Sequence, residues 1–110
     1  ANRVVRDVAT TDCRARDGIG VSGSLQLLAN DFDNIANNSL VPPRTNAANY
    51  HSRAATLSSF SQQAADNIDF GDPTTGYAQY ATVRKETLPL LRMINVSLGT
   101  KFVYVTLATC

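Results

Sequence analysis

Glutamate and lysine are nearly missing from this chain. Glu86 is the single glutamate, and Lys85 and Lys101 are the two lysines. Charged residues fill 17% of the 110 positions, against about 25% in an ordinary soluble domain. Asn, Ser, Thr, Gln and Ala take the polar places instead. Lys and Glu are depleted where surface becomes interface. The composition therefore fits a subunit surrounded by copies of itself, although a source that uses few charges would give the same bias. The formal net charge of +1 excludes a bulk electrostatic case for nucleic acid or membrane. No run of about twenty apolar residues exists to span a bilayer. No charged segment followed by an apolar one marks a leader, and Ala1 fits either removal of an initiator Met or signal-peptidase cleavage.

Histidine and cysteine are equally scarce, which bears on catalysis and metals. His51 is the only histidine, in Asn49-Tyr50-His51-Ser52, with no G-x-S-x-G nucleophile turn anywhere. A Cys13–His51 pair has nothing local to activate the thiol. The chain owns too few His and Cys for a zinc site. Glu86, between Lys85 and Thr87, reads as a solvated side chain rather than half of an acid pair. Asp66, Asp69 and Asp72 lack the ligand spacing and closing Glu of a calcium loop. Gly18, Gly20 and Gly23 match G-x-G-x-x-G, but the polar residues before them are no buried strand, and no acid closes a second strand. No catalytic residue, metal site or cofactor is expected.

Cys13 and Cys110 have no metal-like spacing. A bridge between them would close nearly the whole chain and constrain the unfolded state by about 4–5 kcal/mol in the loop-entropy account. Two buried thiols, or an intermolecular bond through Cys110, are the alternatives. The two glycosylation-type triplets, Asn37-Asn38-Ser39 and Asn95-Val96-Ser97, arise readily in a chain rich in Asn and Ser.

The local patterns predict an α+β domain over 1–110, with a small antiparallel sheet and one or two packed helices. Val4, Val5 and Val8 fit a short strand or a helix turn over 2–11, and the strand is preferred. Leu25, Leu28, Phe32 and Ile35 recur at helical spacing and predict a helix over 22–36. Pro42-Pro43 breaks the chain across 37–46. Tyr50, Ala54, Leu57, Phe60, Ala64 and Ile68 predict a second helix over 47–68, although alternation over 55–61 also fits two strands. A turn over 69–76 leads to a Thr/Tyr/Val-rich strand over 77–88, although a helix with Tyr77, Tyr80, Arg84 and Leu88 on one side also fits. Pro89 ends either element. Ile94, Val96 and Leu98, then Val103, Val105 and Leu107, form a hairpin about Gly99-Thr100. Phe102, Tyr104 and Thr106 lie on its outer arm, a candidate assembly edge. On such a sheet Arg84, Lys85 and Arg92 form the nearest thing to a nucleic-acid backbone contact.

The function expected from these patterns is a non-enzymatic subunit that self-associates, such as a virus or phage coat protein or a filament subunit. Its partners are other copies, with nucleic acid a weaker candidate. The alternative is a secreted or membrane-tethered domain, closed by Cys13–Cys110, that binds a protein partner. A small hydrolase comes third.

Overall fold

A computed structural model describes residues 2–37 and 47–98. Among these residues the chain forms helices α1 (Asn2–Asp17), α2 (Val21–Ala36), α3 (Ala47–Asp69) and α4 (Pro73–Leu98), and no strand. The molecule is a helical bundle, and the expected α+β fold with an antiparallel sheet is overturned. The segments expected as strands over 2–11 and 77–88, and the first arm of the hairpin up to Leu98, are helical. The second arm, with Phe102, Tyr104 and Thr106, lies outside the described residues. So does Cys110. Cys13 is half-buried on α1; no disulfide joins two described residues, and the possible Cys13–Cys110 bridge lies outside them.

Burial decides these helices against local preference. In α1, Val4, Val8 and Thr11 are at most 1% exposed, and their spacing of four and three places them on one helical stripe. β-branched residues favour strands by a preference that spans about 1 kcal/mol in all. Fully burying one such side chain is worth about 1.5–3 kcal/mol, so three residues turned toward a core outweigh the propensity. In α4, Tyr80, Val83, Thr87, Leu90, Leu91 and Ile94 form the same kind of buried stripe.

Pro89 sits inside α4 and does not end it. An interior proline removes one helical hydrogen bond and costs about 3 kcal/mol. Leu90, Leu91 and Ile94 beyond it are buried, and at about 1.5–3 kcal/mol each they outweigh that cost. The ring itself is exposed, so it displaces nothing in the core.

Two turns bear the same closing geometry. The Ile19 N–H donates to the Arg14 carbonyl, and the Asp72 N–H to the Asn67 carbonyl. Each such bond spans a glycine with positive φ, Gly18 at 73° and Gly71 at 102°. This is the Schellman helix ending, in which glycine occupies the left-handed position without a Cβ clash. Asp72 then caps α4, its Oδ1 accepting from the Thr75 N–H at 3.3 Å, and Pro73 follows where a missing N–H costs nothing.

The short turns make α1/α2 and α3/α4 antiparallel pairs, and α2 packs on α3. The Ser58 hydroxyl donates to the Ala29 carbonyl at 2.8 Å, which sets the α2/α3 register. The core gathers Val4, Val8, Leu25, Leu28, Phe32, Tyr50, Leu57, Val83, Leu90 and Leu91. Inside it the Thr11 hydroxyl donates to the Asp7 carbonyl and lies 2.9 Å from Ser24 Oγ. Arg84 and Tyr80 of α4 reach across to Asp12 and join α1 to α4.

Candidate functional site

The bundle separates most of the residues singled out in the sequence. His51 Nδ1 lies 2.8 Å from the Ala36 carbonyl, and its ring lies tilted at 42° against Tyr50 with centroids 4.6 Å apart. It satisfies a terminal carbonyl of α2. Asp72 is a helix cap, and Gly18 and Gly20 shape a turn. Among the described residues no group of three or more His, Cys, Asp or Glu could hold a metal ion, and no helix is long and apolar enough to cross a membrane.

Arg84, Lys85 and Arg92 do not form one cationic patch. Arg84 is half-buried, its Nε donating to Asp12 Oδ2 at 2.9 Å. Lys85 and Arg92 are exposed and, seven residues apart, share one stripe of α4. The expected trio is thus two surface cations and one structural ion pair.

At the opposite end of α1, Asp31 of α2 meets Asp7 carboxyl to carboxyl. Partial burial, the hydrogen bond to Asp7 and the Asp7 charge together raise the Asp31 pKa from 3.8 to about 7, with Arg3 and Arg6 opposing. The folded protein thus holds a proton on Asp31 that the unfolded chain has released above pH 4. Stability gained from this site is present at low pH and lost as pH rises toward 7. The Asp31→Asn variant keeps an uncharged side chain there at every pH. It is expected to match the wild type at about pH 4 and below, and to melt at a higher temperature at pH 8, as thermal unfolding across that range would read.

A concavity lies on the outer side of α3 and α4. It has a volume of about 420 Å³ and is lined by Ser52, Arg53, Thr56, Leu57, Phe60, Thr82 and Glu86. Antiparallel pairing of the two helices sets Leu57 opposite Glu86 and Phe60 opposite Thr82. Arg53 and Glu86 are exposed, and neither has an ion-pair partner among the described residues. Phe60, which the sequence pattern assigns to the core stripe, is turned outward at 36% exposure, and Ser61 is buried in its place. The inward stripe of α3 runs through Ala54, Leu57, Ser61, Ala64 and Ala65. A strip of small residues inside α3 was the sequence signal for a close helix contact, and therefore for an outward Phe60.

Compared with known proteins, the chain matches no family model, no curated protein and no solved structure. Nothing in the bundle or in these comparisons supports a capsid or virion assignment, and that expectation is withdrawn.

Proposed function

We propose that this protein is a non-enzymatic structural subunit that associates with other copies of itself through the α3/α4 side. One observation carries the proposal: the groove there sets an outward aromatic, Phe60, beside a cation and an anion with no partner among the described residues. A two-fold contact presents the same patch from both subunits, so residue i of one meets residue j of the other and the reverse. Arg53 of one copy then meets Glu86 of the next, and Glu86 meets Arg53. A patch carrying one charge of each sign is complementary to itself.

Size agrees. The bundle measures 42 × 23 × 17 Å, so its broad side offers a footprint of about 900 Å², close to the roughly 800 Å² per partner of a standard interface. Around Arg53 the exposed α3 residues Ser52, Ala55, Thr56 and Ser59 are uncharged, and cost less to desolvate than ionised side chains would. Nucleic acid is not part of the proposal, because Arg84 is already engaged by Asp12.

Sedimentation velocity over a range of concentrations tests it. The wild type is expected to exceed the 11.8 kDa of one chain. Phe60→Asp is expected to weaken association by about thirtyfold or more, the loss typical of a central aromatic anchor. A wild type that stays at 11.8 kDa at every concentration overturns the proposal. Absorbance at 260 nm in the same runs reports any bound nucleic acid.

A further inference from the structure

Ile19 and Phe70 are the most exposed large apolar residues among those described, at 75% and 84%. Each sits at the tip of a helix turn, Ile19 between α1 and α2, Phe70 between α3 and α4. His51 meets Ala36 and Ser58 meets Ala29, so α2 and α3 run antiparallel and the two tips lie at the same end of the bundle.

Their surroundings differ in charge. Arg14 and Arg16 precede Ile19. The Arg14 guanidinium donates to the Gly20 carbonyl at 3.1 Å, which anchors a cation on that turn. Arg16 lies 3.3 Å from Asp17 with both side chains more than half exposed, a contact too open to hold the cation firmly. Around Phe70 stand Asp66, Asp69 and Asp72, and no Lys or Arg occurs between Arg53 and Arg84. Asp66 accepts from Gln62 and Asp72 caps α4. Asp69 is exposed, with no hydrogen bond among the described residues. One end of the molecule thus presents an apolar finger with positive charge beside an apolar finger with negative charge.

We infer that this end is a second self-complementary contact, through which two copies meet tip to tip, Ile19 and Arg16 of each against Phe70 and Asp69 of the other. The occupant is a second copy because the patch carries its own complement: a two-fold contact satisfies both charges and covers both apolar fingers at once. This deepens the self-association proposal and rests on it. A side contact and an end contact on the same subunit extend an assembly beyond a pair, into rows. The end face of 23 × 17 Å offers a footprint of only about 400 Å², so the tip contact belongs to the weak class of interfaces. It forms at higher concentration than the side contact.

The test is sedimentation velocity up to near-millimolar concentration on the wild type, Arg16→Glu, Asp69→Arg and the double variant R16E/D69R. The altered residues are exposed, and circular dichroism checks that each variant stays helical. The wild type is expected to pass the dimer mass as concentration rises. Each single variant is expected to need about tenfold more protein to do so, and the double variant to recover wild-type behaviour. A wild type that stops at a dimer, lost on Phe60→Asp and unmoved by the charge variants, overturns the tip contact while leaving the side contact standing. Single variants that match the wild type also overturn it. Growth that responds to the charge variants but not to Phe60→Asp supports the tip and overturns the side contact instead.

Discussion

Replacing Gly76 with valine will cost this bundle about 3 kcal/mol or more and lower its melting temperature by roughly 15 °C. Gly76 is buried in the first turns of α4, where that helix comes closest to α3. A Cβ at this position would sit 2.6 Å from Ile68 Cγ1, 2.8 Å from the Ala64 carbonyl oxygen and 3.1 Å from the Ile68 nitrogen. The Ile68 side chain has some freedom to turn aside. The other two atoms are backbone, and they recede only if α3 and α4 part. Alanine alone improves helix propensity by about 1 kcal/mol over glycine, yet overpacking of this kind costs about 1–3 kcal/mol. Gly76→Ala is therefore expected to destabilise as well, by about 1 kcal/mol. Gly23 in α2 gives the control. Its added Cβ would meet only Arg14 Nη1, at an ordinary 3.7 Å, and the residue is exposed. Gly23→Ala is expected to stabilise by about 0.5–1 kcal/mol. Denaturant unfolding of the three variants checks the contrast: equal signs at the two glycines would mean that propensity, not close helix approach, governs Gly76.

The same contact explains where sequence patterns were legible. α2 was readable because Leu25, Leu28 and Phe32 are long apolar residues at helical spacing, separated by polar ones, and all three are fully buried. The existence of α3 was readable for the same reason, and so was most of its facing: Tyr50, Ala54, Leu57 and Ala64 are buried, and Phe60 alone of that stripe is turned outward. Where Gly76 and Ala64 let two backbones approach, small residues face inward and a large one such as Phe60 is displaced outward, so apolar size misreports orientation. α1 and α4 were misread because Val, Thr and Tyr are the strand formers of the chain. In Val4, Val8 and Thr11, and again in Tyr80, Val83 and Thr87, the three-and-four spacing carried the information and the residue types contradicted it. Pro89 added a stop signal that burial of Leu90 and Leu91 overrode. Of the candidate surfaces, Arg53 and Glu86 were visible as letters, but their juxtaposition needs α3 and α4 to lie antiparallel, which no local pattern encodes. Ile19 and Phe70 were visible as apolar residues inside turn sequences. Their placement at one end follows only once every element between them is known to be helical.

Asp12 is the residue on which closure of the bundle turns, and Asp12→Ala is expected to cost about 2–3 kcal/mol. α1 packs along α2, and Tyr80 and Arg84 of α4 hydrogen-bond to it in a node around Asp12. The Tyr80 hydroxyl donates to Asp12 Oδ1 and lies 3.1 Å from the Val8 carbonyl, while Arg84 Nε donates to Oδ2 at 2.9 Å. Burial and the adjacent carboxylate push the Tyr80 phenol far above its ordinary pKa, so it remains a donor at any pH the fold withstands. Removing the carboxylate leaves the Val8 carbonyl for Tyr80 but nothing for Arg84, whose side chain is 31% exposed. That exposure lets water take up part of the loss, which holds the cost below the 3–5 kcal/mol of a fully buried broken pair. Asp12→Asn retains one acceptor and loses the charge, and is expected to cost about half as much. The location of the damage is as informative as its size. With the node gone, α1 keeps its packing on α2 while the α2–α3–α4 core is untouched, so opening of α1 becomes a local event well below global unfolding. Native-state hydrogen exchange is expected to show α1 amides losing about tenfold to hundredfold of their protection and α3 amides losing little. Uniform loss across all the helices would mean that Asp12 supports the whole core rather than the attachment of α1. The tip contact would then answer to Asp12 as well, because Arg16 and Ile19 are carried on the end of the helix that this node holds in place.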